Sequence, residues 1–492
     1  MGVTFTEIPT TTLRLLAGVE LDRTGTSPAP NRARTVIVGQ KLSAGTATAN
    51  AIVYVGTETR AKGLFGQGSF LHLMVKAYLA NDPTAELWAI PVADAGGGTE
   101  AAGSIQVTAA ATGDGLISLY IAGQLVTVGV TSGDAVGTIA SAINTAINDA
   151  LDLPVTSTVS TDTVTVTCRH KGVLGNDIDM RHSYRTGERL PSGVTLAITQ
   201  LTSGATDPTL TTANTALAAA DWRWCVYPYT TDAQQDALDT IMLARWDAMS
   251  GKLGGHFSAY DDTVANLQTW AGSRNSPHGS TVGFYASPTP SWVTGAAYAG
   301  ACAKSLRRHT AVPLADLALS GVLAPAEGSR FTSTEANTLG LDGVATLYTD
   351  ATGAVRINNA VTHYKTDALG TADTTYQFVN AAYQTAKVID TIQGGIRSQF
   401  AGKILVDDVS LVSSGTPAVD VAMIRAFLLG QYSQLERDAV VENADAFAEV
   451  LEVKRDDDNA NRVNVYYPPD LANQLNVLAV LIRPYLQLPG AQ

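Results

Sequence analysis

A glycine-rich segment at Gly63–Ser69 (GLFGQGS) is the part of the sequence closest to a nucleotide-binding loop. Its glycine spacing superficially matches a phosphate loop, but Ser69 stands where the lysine is required and no lysine follows it. Without that lysine, no cation meets the β- and γ-phosphates of a nucleotide. We therefore interpret the segment as a tight turn in which Ser69 caps a helix at 70–80.

The sequence also lacks the pattern of a hydrolase nucleophile. A Gly-x-Ser-x-Gly elbow does not occur, and Ser280 in Gly279–Gly283 (GSTVG) is the nearest approach to one. Ser280 is interpreted as the start of a strand. The pattern therefore predicts no catalytic residues.

Metal ligands are not grouped in the sequence either. The seven histidines form no His-x-x-x-His pair, and the three cysteines lie far apart. The acidic run Asp456–Asp458 has neither the glycine at the sharp turn nor the final glutamate of a calcium loop, so a hairpin turn is the better interpretation. We expect no metal site, and no residue pattern calls for a cofactor.

Composition restricts the class of protein further. The chain has 492 residues, of which 45% are hydrophobic and 16% charged, and its net charge is −13. This length predicts two to four domains, and this charge argues against a nucleic-acid-binding surface. The start of the sequence lacks the features of a signal peptide, and no apolar run is long enough to cross a membrane. We expect a soluble protein that is made in the cytoplasm.

The first 34 residues differ from the rest of the chain. They are polar and show no sustained apolar period, and they contain three prolines, Pro9, Pro28 and Pro30. Such a segment is predicted to extend as an arm because it has no face to bury against its own chain.

The middle of the chain alternates between two patterns. Residues 35–96 and 205–350 alternate strands with helices, which predicts a doubly wound α/β host domain made of two stretches, although the pattern weakens into loops from 310. Residues 97–204 instead alternate apolar and polar residues between Gly-Asp and Ser-Gly turns, with one helix at 135–149. That block is predicted to be an inserted β-sandwich-like domain.

The remaining residues, 351–492, predict an α+β C-terminal domain. Two short strands at 355–357 and 361–365 precede two long helices. The helices are predicted at 373–398 and 417–438, the hairpin at 448–467 and a last apolar strand at 477–488.

Three motifs in this region occur in a fixed order: Val440–Phe447 (VVENADAF), Asn461–Val465 (NRVNV) and Tyr467–Leu475 (YPPDLANQL). Together they resemble the closing block of Mu-like contractile tail sheath proteins. Upstream, Asp350–Ile357 (DATGAVRI) and Phe65–Ser69 (FGQGS) resemble earlier parts of the same family. The resemblance spans the host and C-terminal domains and is weakest in the inserted domain.

The resemblance implies a structural subunit that is not an enzyme. Such subunits form a helical sheath around an inner tail tube protein and contract to drive the tube through a target envelope. Baseplate and tail terminator proteins are further implied partners, without direct nucleic-acid contact or membrane insertion. The implied location is the virion tail, assembled in the host cytoplasm.

In this family, terminal arms add strands to a neighbour's small C-terminal sheet, and the inserted domain is expected on the outer surface. The implied intersubunit candidates are Leu13, Leu15, Val463, Val465, Val477, Ala479 and Leu481. The tube-facing candidates are Arg425 and Arg437, for which an ordinary solvated helix face is an equally good interpretation.

Other functions remain as alternatives. A sheath of a related secretion or pyocin-like injection system would assemble by the same physical interactions and differ only in the particle to which it belongs. An α/β hydrolase with a β accessory module lacks its nucleophile elbow, and a host-binding adhesin explains only the Thr- and Gly-rich insertion.

Overall fold

The computed structural model describes residues 33–484. In chain order, the strands are β1 (Arg34–Gln40), β2 (Val53–Tyr54), β3 (Glu86–Val92), β4 (Glu100–Ala109), β5 (Gly115–Ile121), β6 (Gln124–Val130), β7 (Val155–Ser160), β8 (Thr163–Lys171), β9 (Met180–His182), β10 (Thr195–Thr202), β11 (Trp224–Val226), β12 (Gly255–Asp261), β13 (Gly279–Phe284), β14 (Ala345–Thr349), β15 (Val355–Asn359), β16 (Ile404–Leu405), β17 (Ala418–Val419), β18 (Glu452–Arg455) and β19 (Val463–Tyr466). The helices are α1 (Glu58–Phe65), α2 (Phe70–Asn81), α3 (Val136–Asp149), α4 (Thr211–Ala219), α5 (Asp232–Trp246), α6 (Val264–Gly272), α7 (Ser291–Arg308), α8 (Ser333–Leu341), α9 (Val379–Phe400), α10 (Val421–Arg437) and α11 (Ala444–Val450). The predicted arm at 1–34 lies almost wholly outside the described residues.

An eight-stranded sheet is the largest element, in the order β15-β14-β13-β12-β11-β1-β3-β2. Its six inner strands run parallel, and the two outer strands are antiparallel to their neighbours. Val36, Ile37 and Val38 of β1 are completely buried. Burial of consecutive residues is typical of a parallel strand with both faces covered, which explains the continuous apolar run in the sequence.

Two helices cross closely over this sheet. A Cβ atom added at Gly300 of α7 would lie 2.8 Å from the carbonyl oxygen of Tyr78 in α2. Only glycine lets the two backbones approach this far without a shift. The close approach of α2 and α7 therefore depends on the glycine at position 300.

The C-terminal border of the sheet differs from the prediction. Strand β15, which the sequence analysis placed in the C-terminal domain, pairs with β14, where Ile357 faces Leu347. The stretch predicted as loops from 310 contains α8 and β14. The predicted strand at 361–365 is wrong, because only Val361 forms an isolated bridge, with Phe378. These segments are ordered by pairing with distant strands, which local pattern does not encode.

The stretch 97–204 forms two antiparallel sheets, β10-β4-β8-β7 and β6-β5-β9. Helix α3 contacts strands of both sheets, and its buried residues Ile139, Ile143 and Ile147 recur at a spacing of four. That spacing gives a helix one apolar face, which is the face buried here.

Side chains join this stretch firmly to the large sheet and its helices. Asp152 accepts hydrogen bonds from Gln67 at 2.7 Å and Lys76 at 3.2 Å, and forms an ion pair with Lys62 at 3.1 Å. Burial opposes ionisation of Asp152, but these contacts outweigh it and lower its pKa to about 2. Elsewhere in the same junction, the hydroxyl of Ser291 donates to the half-buried carboxyl of Asp177. The two parts also share one continuous hydrophobic core.

Within residues 33–484, no helix is both long and apolar enough to cross a membrane.

Candidate polymerisation surface

The C-terminal helices have a small hydrophobic core of their own, separate from the main one. Its centre is aromatic. The ring of Tyr432 on α10 stacks on Phe447 of α11 with 3.7 Å between the ring centroids, and the centroid of Tyr467 lies 4.6 Å from that of Phe447. Tyr467 immediately follows β19 in the chain. The end of the hairpin is therefore anchored to the helices by ring packing.

The predicted hairpin is present as the antiparallel pair β18 and β19, in which Val453 faces Val465. Its first strand was predicted from residue 448, which is wrong at its start, because residues 448–450 end helix α11 and the strand begins at Glu452. Asp456 shapes its turn by accepting hydrogen bonds from the backbone N–H groups of Asp458 and Asn459. A hydrogen bond from Asn464 lowers the pKa of Asp456, which keeps the carboxylate ionised as the acceptor. The acidic run is thus a turn, and no group of three or more His, Cys, Asp or Glu in residues 33–484 is arranged to hold a metal ion.

The outer edges of this hairpin are open. The sheet has only two strands, and no hydrogen bond from any other part of residues 33–484 reaches the backbone of 452–455 or 463–466. An isolated two-stranded sheet is marginally stable and presents unpaired N–H and C=O groups. The edges are therefore suited to accept a further strand.

Two other strand edges in the same chain, those of β7 and β9, are closed by amide side chains. Asn148 donates to the carbonyl of Ser157 at 2.9 Å and accepts from its N–H at 3.0 Å, which occupies the free edge of β7. Gln200 does the same for Met180 in β9, at 2.7 and 2.8 Å. Each amide satisfies both backbone groups that a further strand would use. The hairpin is distinguished from these edges by having no such partner among the described residues.

The chain after the hairpin is held at several points up to Gln474, whose side-chain amide donates to Gln384 at 2.9 Å. Gln384 of α9 donates to the carbonyls of Val440 and Ala472, at 3.0 and 2.9 Å. The N–H of Ala472 donates to Val440, and the hydroxyl of Tyr432 accepts from the N–H of Asp470. These bonds fix the point from which the last residues leave the body.

Residues 473–484 have no regular secondary structure and are largely exposed. Six large apolar side chains in this stretch are 71–80% exposed: Leu475, Val477, Leu478, Val480, Leu481 and Ile482. A contiguous apolar run of this kind on a surface marks an interaction site. The structure describes residues 477–484 of the strand predicted at 477–488, and these residues pair with no strand of residues 33–484.

The predicted intersubunit candidates fall into three places. Val463 and Val465 lie on β19, beside the open edge. Val477, Ala479 and Leu481 lie in the exposed final stretch. Leu13 and Leu15 lie outside the described residues.

The two arginines predicted to face a tube differ in their contacts. Arg425 is half-buried and donates to the carbonyl of Ala448 at 2.5 Å. Arg437 is exposed at the end of α10 and donates to Gln434 at 2.9 Å. Both side chains have partners in their own chain, and their role stays a prediction.

The residues that resembled enzyme motifs have structural partners. Ser69 caps α2 by accepting from the N–H of His72, as predicted. Gly68 has a φ of +79°, and a Cβ there would lie 2.5 Å from the carbonyl oxygen of Leu153, so the glycine loop packs against the inserted sheets. Ser280 lies in β13, and its hydroxyl is bound to Tyr298 and to the carbonyl of Val361.

No sequence pattern identified the amides that close the edges of β7 and β9 or that hold the chain after the hairpin. Asn148, Gln200 and Gln384 gave no signal, because a single amide has no period and its partner is distant in sequence. Only the turn residues and the apolar final stretch were visible as patterns.

Two family models match the chain. The phage tail sheath protein central domain matches residues 203–363, and the phage tail sheath C-terminal domain matches residues 371–483. The second match includes the hairpin, the hydrogen-bonded residues that follow it and nearly all of the exposed final stretch.

Similar proteins are found over nearly the full length. The chain is 34% identical over 485 residues to the Mu-like prophage FluMu tail sheath protein of Haemophilus influenzae, covering 98% of this chain and 99% of that one. A chain in the cryo-EM structure of the anti-feeding prophage baseplate has a TM-score of 0.50 at 11% identity, covering 96% of this chain and 100% of that one. A sheath tail protein of Desulfitobacterium hafniense has a TM-score of 0.49 at 13% identity, covering 93% and 97%. The baseplate likeness concerns the fold alone.

Proposed function

Since the chain belongs to the phage tail sheath family, and is therefore a sheath protein of a contractile phage tail or related injection system, we propose that its terminal segments join it to neighbouring copies. The exposed final stretch of one copy adds a strand to the open hairpin of another. The residues predicted as an N-terminal arm serve as a second arm of the same kind, up to the start of β1 at Arg34.

One observation carries this proposal: the same chain has a sheet edge that can accept a strand and an exposed segment that can supply one. The hairpin β18–β19 is open at its edges, while Val477, Ala479 and Leu481 lie exposed a few residues beyond Ala472. In an added strand these three residues share one face, because side chains alternate along a strand. That apolar face is in contact with water in the single chain and becomes covered when the strand is added.

Strand addition suits a sheath because its affinity comes from backbone hydrogen bonds along an edge. Rigid bodies can then shift relative to one another while the paired strands keep the copies connected. Closed amide edges elsewhere remove two competing sites, since a strand cannot add where Asn148 already occupies the edge.

The same proposal includes the rest of the particle. Copies polymerise as a helical sheath around an inner tail tube, between a baseplate and a terminator protein, in the tail of a virion assembled in the host cytoplasm. Arg425 and Arg437 contact the tube, and residues 97–204 face outward. The chain acts mechanically and catalyses no reaction.

The proposal is tested by charging the final stretch. We expect the double substitution Val477→Asp/Leu481→Asp to abolish tubes and rings in negative-stain electron microscopy, because a charged face cannot be buried between copies. The chain should remain folded, as judged by circular dichroism. Deletion of residues 1–30 should have the same effect.

A matched control is Leu369→Asp, which charges a leucine that is 89% exposed but lies away from the hairpin. This variant should assemble like the unmodified chain. Tubes formed by the Val477→Asp/Leu481→Asp variant at the normal concentration would overturn the strand-addition proposal.

A further inference from the structure

Three histidines meet at the edge of the large sheet where strands β12 and β13 begin. His256 is the second residue of β12, His278 immediately precedes β13, and His363 lies between β15 and α9. The N–H of His256 donates to the carbonyl of His278 at 2.9 Å, and the N–H of His363 donates to that of Gly279 at 3.0 Å. His256 and His363 are each 1% exposed, and His278 is half-buried. The three imidazoles therefore form one cluster inside the fold.

The rings of this cluster pack on one another and on two tryptophans. The ring centroids of His256 and His363 lie 6.0 Å apart. His278 stacks on Trp246 of α5 with 4.3 Å between the centroids, and His363 meets Trp270 of α6 edge-on at 5.4 Å. The cluster is therefore a packed aromatic layer.

The hydrogen bonds of the cluster suit neutral rings. Nε2 of His256 lies 3.5 Å from a carboxylate oxygen of Asp239, and Nε2 of His363 lies 3.0 Å from the hydroxyl of Thr281. Nδ1 of all three rings is buried and has no hydrogen-bond partner. A protonated imidazole carries an N–H on both nitrogens. Each charged ring would therefore hold a buried donor without an acceptor, which costs free energy.

The charged groups around the cluster give a protonated ring little compensation. Asp239 of α5 supplies the nearby carboxylate. Arg274 is 3% exposed, and its two carboxylate partners, Asp232 and Asp236, lie at the surface. Lys365 adds a second positive charge on the same side as Arg274. Further positive charge in the cluster would therefore be opposed by two cations and supported by one carboxylate.

The pKa values of the histidines follow from these surroundings. Burial lowers the pKa of His278 to about 4 and that of His363 to about 3; the charge of His256 acts in the same direction, and Asp239 opposes it. In the unfolded chain a histidine titrates at about pH 6.5. Below that pH the unfolded chain binds more protons than the folded one. Stability that is complete above about pH 6.5 is therefore lost as the pH falls towards about 4.

Helix α9 connects this cluster to the C-terminal domain. Val379 and Tyr383 in its first half belong to the main core, and Val388 in its second half belongs to the separate C-terminal core. Val379 and Tyr383 line the same small cavity as His256 and His278. The hydroxyl of Tyr383 is neutral, because burial raises its pKa well above the ordinary value. The histidines thus lie where α9 is seated on the large sheet.

We propose that the three histidines make the attachment of α9 to the large sheet sensitive to acid. As the pH falls below about 6, protonated rings favour a state in which this attachment is open. The C-terminal helices and the hairpin then gain freedom relative to the sheet. The change is a shift in population between two states of one chain, so it does not depend on strand addition.

Hydrogen exchange measured by mass spectrometry tests the proposal on the full-length chain at a concentration below that of tube formation. Protection factors, corrected for the intrinsic exchange rate, are compared at pH 7.5 and pH 5.0. We expect the backbone amides of residues 384–390 in α9 to be at least ~10-fold less protected at pH 5.0. The amides of Val36–Val38 in the buried strand β1 are the internal control and should keep their protection.

Variants identify the groups responsible. The double substitution His278→Gln/His363→Gln replaces two rings by neutral amides and should reduce the fall in protection to less than ~3-fold. If this variant does not fold, His278→Gln alone, at the half-buried position, should still make the fall at least ~3-fold smaller. His182→Gln in the inserted sheets is the matched control and should leave the fall unchanged. The carboxyl of Asp261, whose pKa burial raises to about 7, responds to pH in the opposite direction, so each variant is compared with the parent at both pH values.

Equal protection of α9 at both pH values in the parent, or an equal fall in the parent and in the histidine variants, would overturn the proposal. So would a fall of the same size in β1, because acid would then destabilise the whole fold and not this attachment. Loss of tubes with a normal pH response of α9 would count against strand addition alone.

Discussion

Amide side chains close two strand edges in this protein. Asn148 and Gln200 each bind both backbone groups of an edge residue, and Asn81 makes the same pair of bonds to Ser320, which lies in a turn. A chain that polymerises by strand addition needs such closures, because every other open edge is a competing site.

Removing one of these amides should open a competing edge. We predict that Asn148→Ala lowers the free energy of unfolding by about 1–3 kcal/mol, since the backbone groups of Ser157 lose their partner. It should also increase irregular aggregation, measured by light scattering below the concentration at which tubes form. Ser141→Ala on the exposed side of α3 is the control and should change neither quantity. An unchanged unfolding midpoint for Asn148→Ala would contradict the role given to this amide.

Two half-buried carboxyl groups should make stability depend on pH. Burial raises the pKa of Asp261 to about 7, although the N–H groups of Ala286 and Ser287 act against it, and burial raises the pKa of Asp177 to about 6. The unfolded chain ionises such groups near pH 4, so between about pH 4 and 7 the folded state binds more protons. Stability from Asp261 is therefore present at low pH and is lost as the pH rises through about 7.

We predict that Asp261→Asn reduces the loss of stability between pH 5 and pH 8, because the amide is neutral throughout. Urea unfolding at both pH values measures the difference. Asp149→Asn, at an exposed position at the end of α3, should leave that difference unchanged. A variant with the full pH dependence of the parent would show that Asp261 does not cause it.

At the scale of elements, close helix packing depends on single glycines. Gly300→Ala should destabilise the chain by about 1–3 kcal/mol, because its Cβ would meet the carbonyl of Tyr78 at 2.8 Å. Gly394→Ala in α9, where a Cβ would have nothing within 4 Å, is the control. It should be neutral or stabilising by up to about 1 kcal/mol. Thermal unfolding distinguishes the two, and equal effects would contradict the packing argument.

The elements that the sequence predicted well are those with local causes. Helix α2 follows from the Ser69 cap, and the hairpin follows from alternation around the turn at Asp456. Strands β14 and β15 were missed or misplaced because their pairing partners decide them. The amides that close strand edges were missed for the same reason, because their backbone partners are not specified by a local pattern. The candidate site was thus predictable in its hairpin and final stretch but not in the amides that close other strand edges.

For the whole molecule, assembly should change the protection of particular backbone amides. We predict that amides on the outer edges of β18 and β19 exchange with deuterium at least ~10-fold more slowly in tubes than in the single chain. The amide of Ser157, already bound to Asn148, should exchange at the same rate in both and serves as the internal control. Hydrogen exchange measured by mass spectrometry gives both rates. Unchanged exchange at the hairpin in tubes would contradict strand addition.

The hydrogen bonds that hold the chain after the hairpin also set a length. The side-chain amide of Gln474 donates to Gln384 at 2.9 Å, and the three residue steps from Gln474 to Val477 span at most about 11 Å when fully extended. If strand pairing starts at Val477, this short connection limits how far two linked copies can move apart. A glycine-serine insert after Gln474 would therefore increase the permitted movement, and a deletion there would reduce it.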